Sequence, residues 1–425
     1  MSAAERTKRT RVPAGRRRQF GAGVVLLLAA VLVGALLAAL PATDGREAGA
    51  ACAPRKVASW APDQGTTGEF TRYGDDASRA DDWSGGDGTH SVRLPDGRVL
   101  WLFSDTFLGR VHAPPNRSGQ PHSWRDGSAP FVRNSAVVMD RSGRLERTLP
   151  APVFADPAAG QWRWPVAAKV EPRSPGSAEQ VVRVLLWTRA TGTGPWIYGL
   201  PLATEVATLS LPGLRLEGVV RVSDQSTVQD PAERVLYGTT AVDGEEYTYV
   251  FGGNDGKTAT GAASQAFLAR VPRGRLAEPG AWRYWDGEGW GDRAAPVLGD
   301  GAKKGVGSAY TVVRDEGTWV LFTMAAGVEG LSTITSYWSC APSGPWHGPA
   351  KGFTPPLPAD SAPQQRTAVY NPQAHPALRG DDGRLLLSYD VNWLDPDPRA
   401  AQANVSRNVS LYRPRFLRLR LAPGD

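Results

Sequence analysis

The chain runs to 425 residues, enough for two domains or one large all-β domain. Its 48 glycines, 35 prolines and 15 tryptophans suit a turn-rich, aromatic-rich β structure. The net charge of +6 lies wholly in residues 1–20, where Arg6, Lys8, Arg9, Arg11, Arg16, Arg17 and Arg18 outnumber Glu5; the balanced remainder argues against a nucleic-acid partner.

Residues 21–40 carry no charge and are rich in Leu, Val and Ala, long enough to span a bilayer as a helix. With the basic flank held in the cytoplasm, everything beyond residue 42 would lie outside. Residues 21–42 are expected to be an uncleaved membrane anchor or a cleaved signal, and the residues leave both open. Arg17-Arg18 fits a twin-arginine export signal, and Ala48-Gly49-Ala50 a cleavage pattern. Export permits a disulfide, and Cys52 and Cys340 are the two cysteines available for one. Residues 43–60, small and polar, read as a linker to a domain over 61–425.

The next stretch is Trp83-Ser84-Gly85-Gly86-Asp87-Gly88-Thr89-His90-Ser91, followed by a hairpin. Its loop, Pro95-Asp96-Gly97, suits a type I turn with glycine in the left-handed position. Pairing Leu94 with Arg98 sets Asp87 opposite Asp105 at the hairpin's open end. Residues so paired lie about 4.5–5.5 Å apart at Cα. Two carboxylates there would repel, raising one pKa, as an acid–base pair or two cation ligands would require. The bland alternative is that each caps a local turn.

Strand–turn–strand units then recur: 166–170 with 181–187, 237–242 with 247–251, 310–313 with 319–322, and 377–378 with 385–389. A further alternating strand follows each hairpin, at 135–140, 207–211, 266–270, 334–338 and 409–412. Fourth strands are expected at 282–285, Trp346 and 415–421. Such spacing without helical patterns predicts an all-β, five-bladed β-propeller, preceded by the N-terminal helix. The strand at 415–421 is expected to close the ring against residues 68–73. Residues 109–128 read as a lid. Trp101, Trp187 and Trp319 read as core, whereas Trp83, Trp124, Trp164 and Trp393 occupy loop-like positions. The five histidines show no metal-ligand spacing.

The run from Trp83 to Phe107 resembles the opening of a family of exported bacterial propeller proteins, formerly of unknown function, that includes endo-D-arabinanases. Four further segments carry the resemblance: Phe131-Val132-Arg133-Asn134-Ser135-Ala136, Tyr247-Thr248-Tyr249-Val250-Phe251-Gly252, Ala269-Arg270-Val271-Pro272 with Trp282-Arg283-Tyr284-Trp285, and Tyr370-Asn371-Pro372-Gln373-Ala374-His375-Pro376 running on to Leu411-Tyr412-Arg413-Pro414-Arg415-Phe416. The resemblance covers residues 83–421. It implies glycoside hydrolysis of an arabinan-like, furanose-containing polysaccharide, with Asp87 and Asp105 as the catalytic carboxylates. One departure stands out: Val166-Ala167-Ala168 follows Pro165 where relatives are expected to carry Gly-Asp.

Expected sugar contacts are Trp83, Asn134, Trp164, Asn371 and His375. Each has a structural alternative: core packing for the indoles, turn formation for the asparagines, a loop-carbonyl bond for the imidazole. No cofactor is expected, though a structural calcium or sodium ion is compatible with a propeller channel. The expected partners are a polysaccharide and, through an uncleaved helix, the cell membrane. The rival reading is a non-catalytic carbohydrate-binding propeller tethering envelope glycan, which the Val166-Ala167-Ala168 departure favours. A protein-interaction propeller would instead show no convergent acids.

Overall fold

A computed structural model describes residues 52–424, apart from 80–81, 193–198, 256–262, 301–303, 327–331, 359–366, 394 and 396. The basic segment and the apolar run over 21–42 therefore lie outside the described residues. Among those described, no helix is long and apolar enough to cross a membrane.

The Pro95-Asp96-Gly97 hairpin forms as its residues dictate. Leu94 N–H donates to Arg98 O over 2.8 Å, and Gly97 takes φ +88°. His90 pairs with Leu102 and Ser91 with Trp101, the expected register. This hairpin begins the first of five principal sheets, formed by His90–Arg93, Val99–Phe103, Ser135–Met139 and Leu145–Thr148 in spatial order.

The second sheet follows the same antiparallel order with longer strands, Gln161–Pro172, Gln180–Ala190, Leu200–Ser210 and Leu216–Asp224. The third contains Leu236–Asp243, Tyr247–Gly253, Ala266–Pro272, Arg283–Trp285 and Trp290–Gly291, with Pro296–Leu298 also paired to Ala266–Pro272. Thr311–Asp315, Thr318–Met324 and Ile334–Ser339 form the fourth, and the fifth runs Thr367–His375, Leu385–Trp393, Arg415–Pro423, Arg55–Pro62. The first strands touch in sequence: His90–Arg93 lies beside Gln161–Pro172, that beside Leu236–Asp243, then Thr311–Asp315, then Thr367–His375, which returns to His90–Arg93.

Strand alternation distributes the core between sheets. Leu100 and Leu102 pack with Val182, Val184 and Leu186 of the second sheet. Their neighbours Val99, Trp101 and Phe103 point the other way and pack with Leu386 and Phe416 of the fifth. Further cores join the second sheet to the third through Leu185 and Val250, the third to the fourth through Phe251 and Leu321, and the fourth to the fifth through Phe322 and Leu387. Burying one such side chain contributes about 1.5–3 kcal/mol, so these cores hold the sheets together.

The ring-closing expectation needs correction. The C-terminal strand Arg415–Pro423 pairs with Arg55–Pro62, not with residues 68–73. Those belong to helix α1, Gln64–Gly74, whose N-terminus is capped by Asp63 accepting from Thr66 N–H over 2.9 Å. Phe70 on its buried face packs against Trp83, Trp101 and Phe416. The linker reading of 43–60 likewise ends early, because residues 55–60 find a β partner only at the far end of the chain. Cys52 and Cys340 are joined by a disulfide, with Cα atoms 5.4 Å apart.

Two other expectations shift. Residues 409–412 form a 3-10 turn rather than a strand, following helix α2, Pro398–Arg407. Asp397 caps α2, accepting from Arg399 N–H over 2.9 Å. In the fifth sheet the expected 377–378 strand is a 3-10 turn at Pro376–Leu378, and Thr367–His375 takes the inner place.

Candidate active site

The residues lining a cavity of about 470 Å³ come from strands of the first, second and fifth sheets and from segments flanking the third and fourth. Asp87 and Asp105 meet there. Asp87 N–H donates to Asp105 O over 3.1 Å, continuing the hairpin register beyond its strands. Between Asp87 and His90 the chain turns through Gly88 at φ +64°. A Cβ there would lie 2.4 Å from Ser104 Oγ, so only glycine fits.

The two carboxyls have different surroundings. Asp87 accepts from Tyr370 O–H over 2.9 Å and is also bonded by Tyr412. Burial first, then the nearby Asp105 and Asp390, push its pKa well above the ordinary carboxyl value, which favours its protonated form. Asp105 accepts from Trp164 Nε1–H over 2.8 Å and forms a 3.0 Å ion pair with Arg133. Burial raises its pKa too, opposed by the Arg133 charge and the indole bond. Arg133 itself lies over the Trp162 ring at 4.4 Å.

Behind Asp87 lies a third carboxyl, Asp390, only 1% exposed. It accepts from Gly88 N–H at 2.7 Å, Thr89 O–H at 2.9 Å and Asn371 Nδ2–H at 3.2 Å. Burial dominates and raises its pKa to about 7. Trp162, Trp164 and Trp187 present indoles to the cavity. Arg189, ion-paired to Asp255, lies over Trp187 and Trp164 at 5.0 and 5.3 Å.

Of the residues expected from sequence, Asp87, Asp105, Trp164 and Asn371 line the cavity. Trp83, Asn134 and His375 do not. Trp83 is 1% exposed and packs against Phe70 and Phe103. Asn134 spends its amide on Phe154 and Arg163 main chain, donating to their carbonyls and accepting from Phe154 N–H. His375 bonds Ser91 at 2.7 Å and Ser388 at 2.9 Å, and burial lowers its pKa to about 3, leaving it neutral. Trp187, read as core, is 5% exposed but reaches the cavity wall. No residue from the expected lid at 109–128 lines it; Val111–His112 and Trp124–Arg125 pair with each other instead.

Sequence reasoning assigned no role to Asp390, Tyr370, Tyr412, Arg133, Trp162, Arg189 or His90. Asp390 had a legible signal, an acid inside the apolar strand Leu385–Trp393, where burial of a charge needs a reason. At the departure, Val166 falls where the strand register shifts and presents an aliphatic side chain to the cavity. Among the described residues no group of three or more His, Cys, Asp or Glu is arranged to hold a metal ion.

These features define a mostly β protein of successive antiparallel sheets with an acid-lined cavity. Residues 69–421 match the family described as a domain of unknown function, DUF5005, and the chain belongs to that family. No curated protein matches the chain. Among solved structures, a provisionally assigned hydrolase from Bacteroides ovatus ATCC 8483 is 20% identical, over 82% of this chain and 88% of that one, with a TM-score of 0.58. That likeness is one of fold. The α-L-arabinofuranosidase of Podospora anserina is 11% identical over 81% of this chain and 98% of its own, with a TM-score of 0.45. The arabinofuranosidase catalytic domain of Coprinopsis cinerea is 12% identical over 80% and 97%, also with a TM-score of 0.45.

Proposed function

We propose that this chain is an exported five-bladed propeller that hydrolyses furanose-containing, arabinan-like polysaccharide through Asp87 and Asp105. The observation that carries the reading is the pair itself, two carboxyls with different partners facing one indole-walled cavity. Environments that separate two carboxyls in this way assign an acid and a base. Protonated Asp87 would deliver its proton to the glycosidic oxygen. Asp105, its charge favoured by Arg133 and Trp164, would stabilise or attack the anomeric carbon. Trp164, the part-exposed indole of the three, would stack on a sugar face.

The propeller reading draws on the cyclic order of first strands and of inter-sheet cores. Export draws on the uncharged run over 21–40, and the Cys52–Cys340 bridge fits an oxidising compartment. An uncleaved helix would keep the propeller on the outer face of the membrane.

The alternative, a carbohydrate-binding propeller without catalysis, rests on aliphatic Val166 in the cavity wall. Incubating the purified protein with mycobacterial arabinogalactan separates the two. Oligosaccharide products that vanish in Asp87→Asn support hydrolysis. Binding without products supports the tethering reading.

A further inference from the structure

We infer that Asp390 is a positioning residue for Asp87, tying the turn behind that carboxyl to the strand that holds it from the other side. This rests on the hydrolase reading for its catalytic consequence, but the linkage stands on geometry. Asp390 does not line the cavity and so touches no substrate there. It grips Gly88 N–H and the Thr89 hydroxyl, the two residues immediately after Asp87. It also holds Asn371, the neighbour of Tyr370, whose phenol donates to Asp87. One carboxyl thereby fixes both arms around the acid.

The backbone is shaped for this contact. Tyr370 pairs with Asp390, and the pairing resumes at Gln373 with Ser388, so two residues, Asn371 and Pro372, oppose the single Tyr389 in a bulge of one extra residue. The first of them, Asn371, has φ +49°, the left-handed region that few residues other than glycine and asparagine enter. That conformation accompanies the 3.2 Å amide bond to Asp390. An asparagine held this way at a cavity wall fits a positioning role better than a turn.

Asp390 has a second effect through charge. The titratable groups acting on Asp87 are Asp105, Asp390, Tyr370 and Tyr412, with Arg133 beside Asp105. A negative Asp390 opposes ionisation of Asp87 and keeps the acid protonated as pH rises.

The test is Asp390→Asn in the full chain, read by the pH profile of kcat/KM on arabinan oligosaccharides. The infrared carbonyl stretch of protonated Asp87, identified by its loss in Asp87→Asn, provides a readout independent of activity. The expected result is a fall of about tenfold or more in kcat/KM, little change in KM, and an alkaline limb moved about one pH unit towards acid. The Asp87 carbonyl band should disappear at correspondingly lower pH. Should Asp390→Asn fail to fold, Thr89→Val and Asn371→Gly each remove one donor to Asp390, and glycine accepts the φ at 371. Both should move the limb and the band in the same direction by less. An unmoved limb and band in the folded variants would overturn the positioning role, whatever happens to the rate. If wild type releases no products but its Asp87 band still shifts in Asp390→Asn, the hydrolase reading fails and the linkage survives.

Discussion

Tyr370 donates its phenol proton to Oδ2 of Asp87 over 2.9 Å, inside a cavity that Asp87 shares with Asp105. That bond occupies one oxygen of the carboxyl, which Tyr412 also bonds. It also favours the ionised form, opposing the desolvation and like charges that raise the Asp87 pKa. Tyr370→Phe should therefore move the alkaline limb of the kcat/KM profile towards higher pH, opposite to the change expected for Asp390→Asn. The lost bond should lower kcat/KM about fivefold, from about 1 kcal/mol. A limb that moves towards acid would contradict the arrangement.

Asp87→Asn and Asp105→Asn should each reduce the rate of polysaccharide cleavage by about 10²–10⁴-fold, the range for losing a positioned proton donor or partner. Glycan retention on an affinity gel should persist, because the indole wall is untouched. Full activity in both variants would remove the pair from the mechanism.

Trp164 combines two roles that substitutions can separate. Trp164→Phe keeps an aromatic face but removes the 2.8 Å N–H bond to Asp105. It should lower kcat about tenfold, on the scale of about 1.5 kcal/mol for a bond to a charged group, with KM nearly unchanged. Trp164→Ala should raise KM as well. Steady-state kinetics on one oligosaccharide series distinguishes the two effects.

His375 should matter for stability rather than substrate binding. Burial lowers its pKa and that of His90 to about 3, from the ordinary imidazole value of 6.5. A depressed folded pKa contributes stability that is present above about pH 6.5 and lost as pH falls towards 3. The raised carboxyls act in the opposite sense, so the useful quantity is a difference. The gap in unfolding free energy between wild type and His375→Phe should narrow by about 2–3 kcal/mol between pH 6.5 and 4. Urea titrations at both pH values measure it, and a constant gap would count against a neutral buried imidazole.

The first hairpin was legible because its determinants are local. Pro95, Asp96 and Gly97 specify the turn, the turn sets the register, and the register carries Asp87 to Asp105. The hairpins of the second, third and fourth sheets were legible for the same reason. What stayed hidden depends on partners far away in sequence. Asp390 acts on residues about 300 positions earlier, and nothing in its strand names them. Trp83 looked like a loop indole because the helix that buries it, through Phe70, resembles a strand in so short and glycine-containing a segment. Asn134 and His375 have the chemistry of sugar ligands. Only the coordinates show that Phe154, Ser91 and Ser388 have already satisfied them. Residue type can nominate a ligand, but unspent hydrogen-bonding capacity decides it.

The disulfide also has a mechanical meaning. Cys52 precedes the closing strand Arg55–Pro62, and Cys340 follows the fourth-sheet strand Ile334–Ser339. A pull applied to the chain ahead of residue 52 therefore enters the fourth sheet through a covalent bond. The hydrogen bonds between Arg55–Pro62 and Arg415–Pro423 are bypassed while the bridge is intact. Once the bridge is reduced, the same pull would act first on the Arg55–Pro423 pair and open the closure one residue at a time.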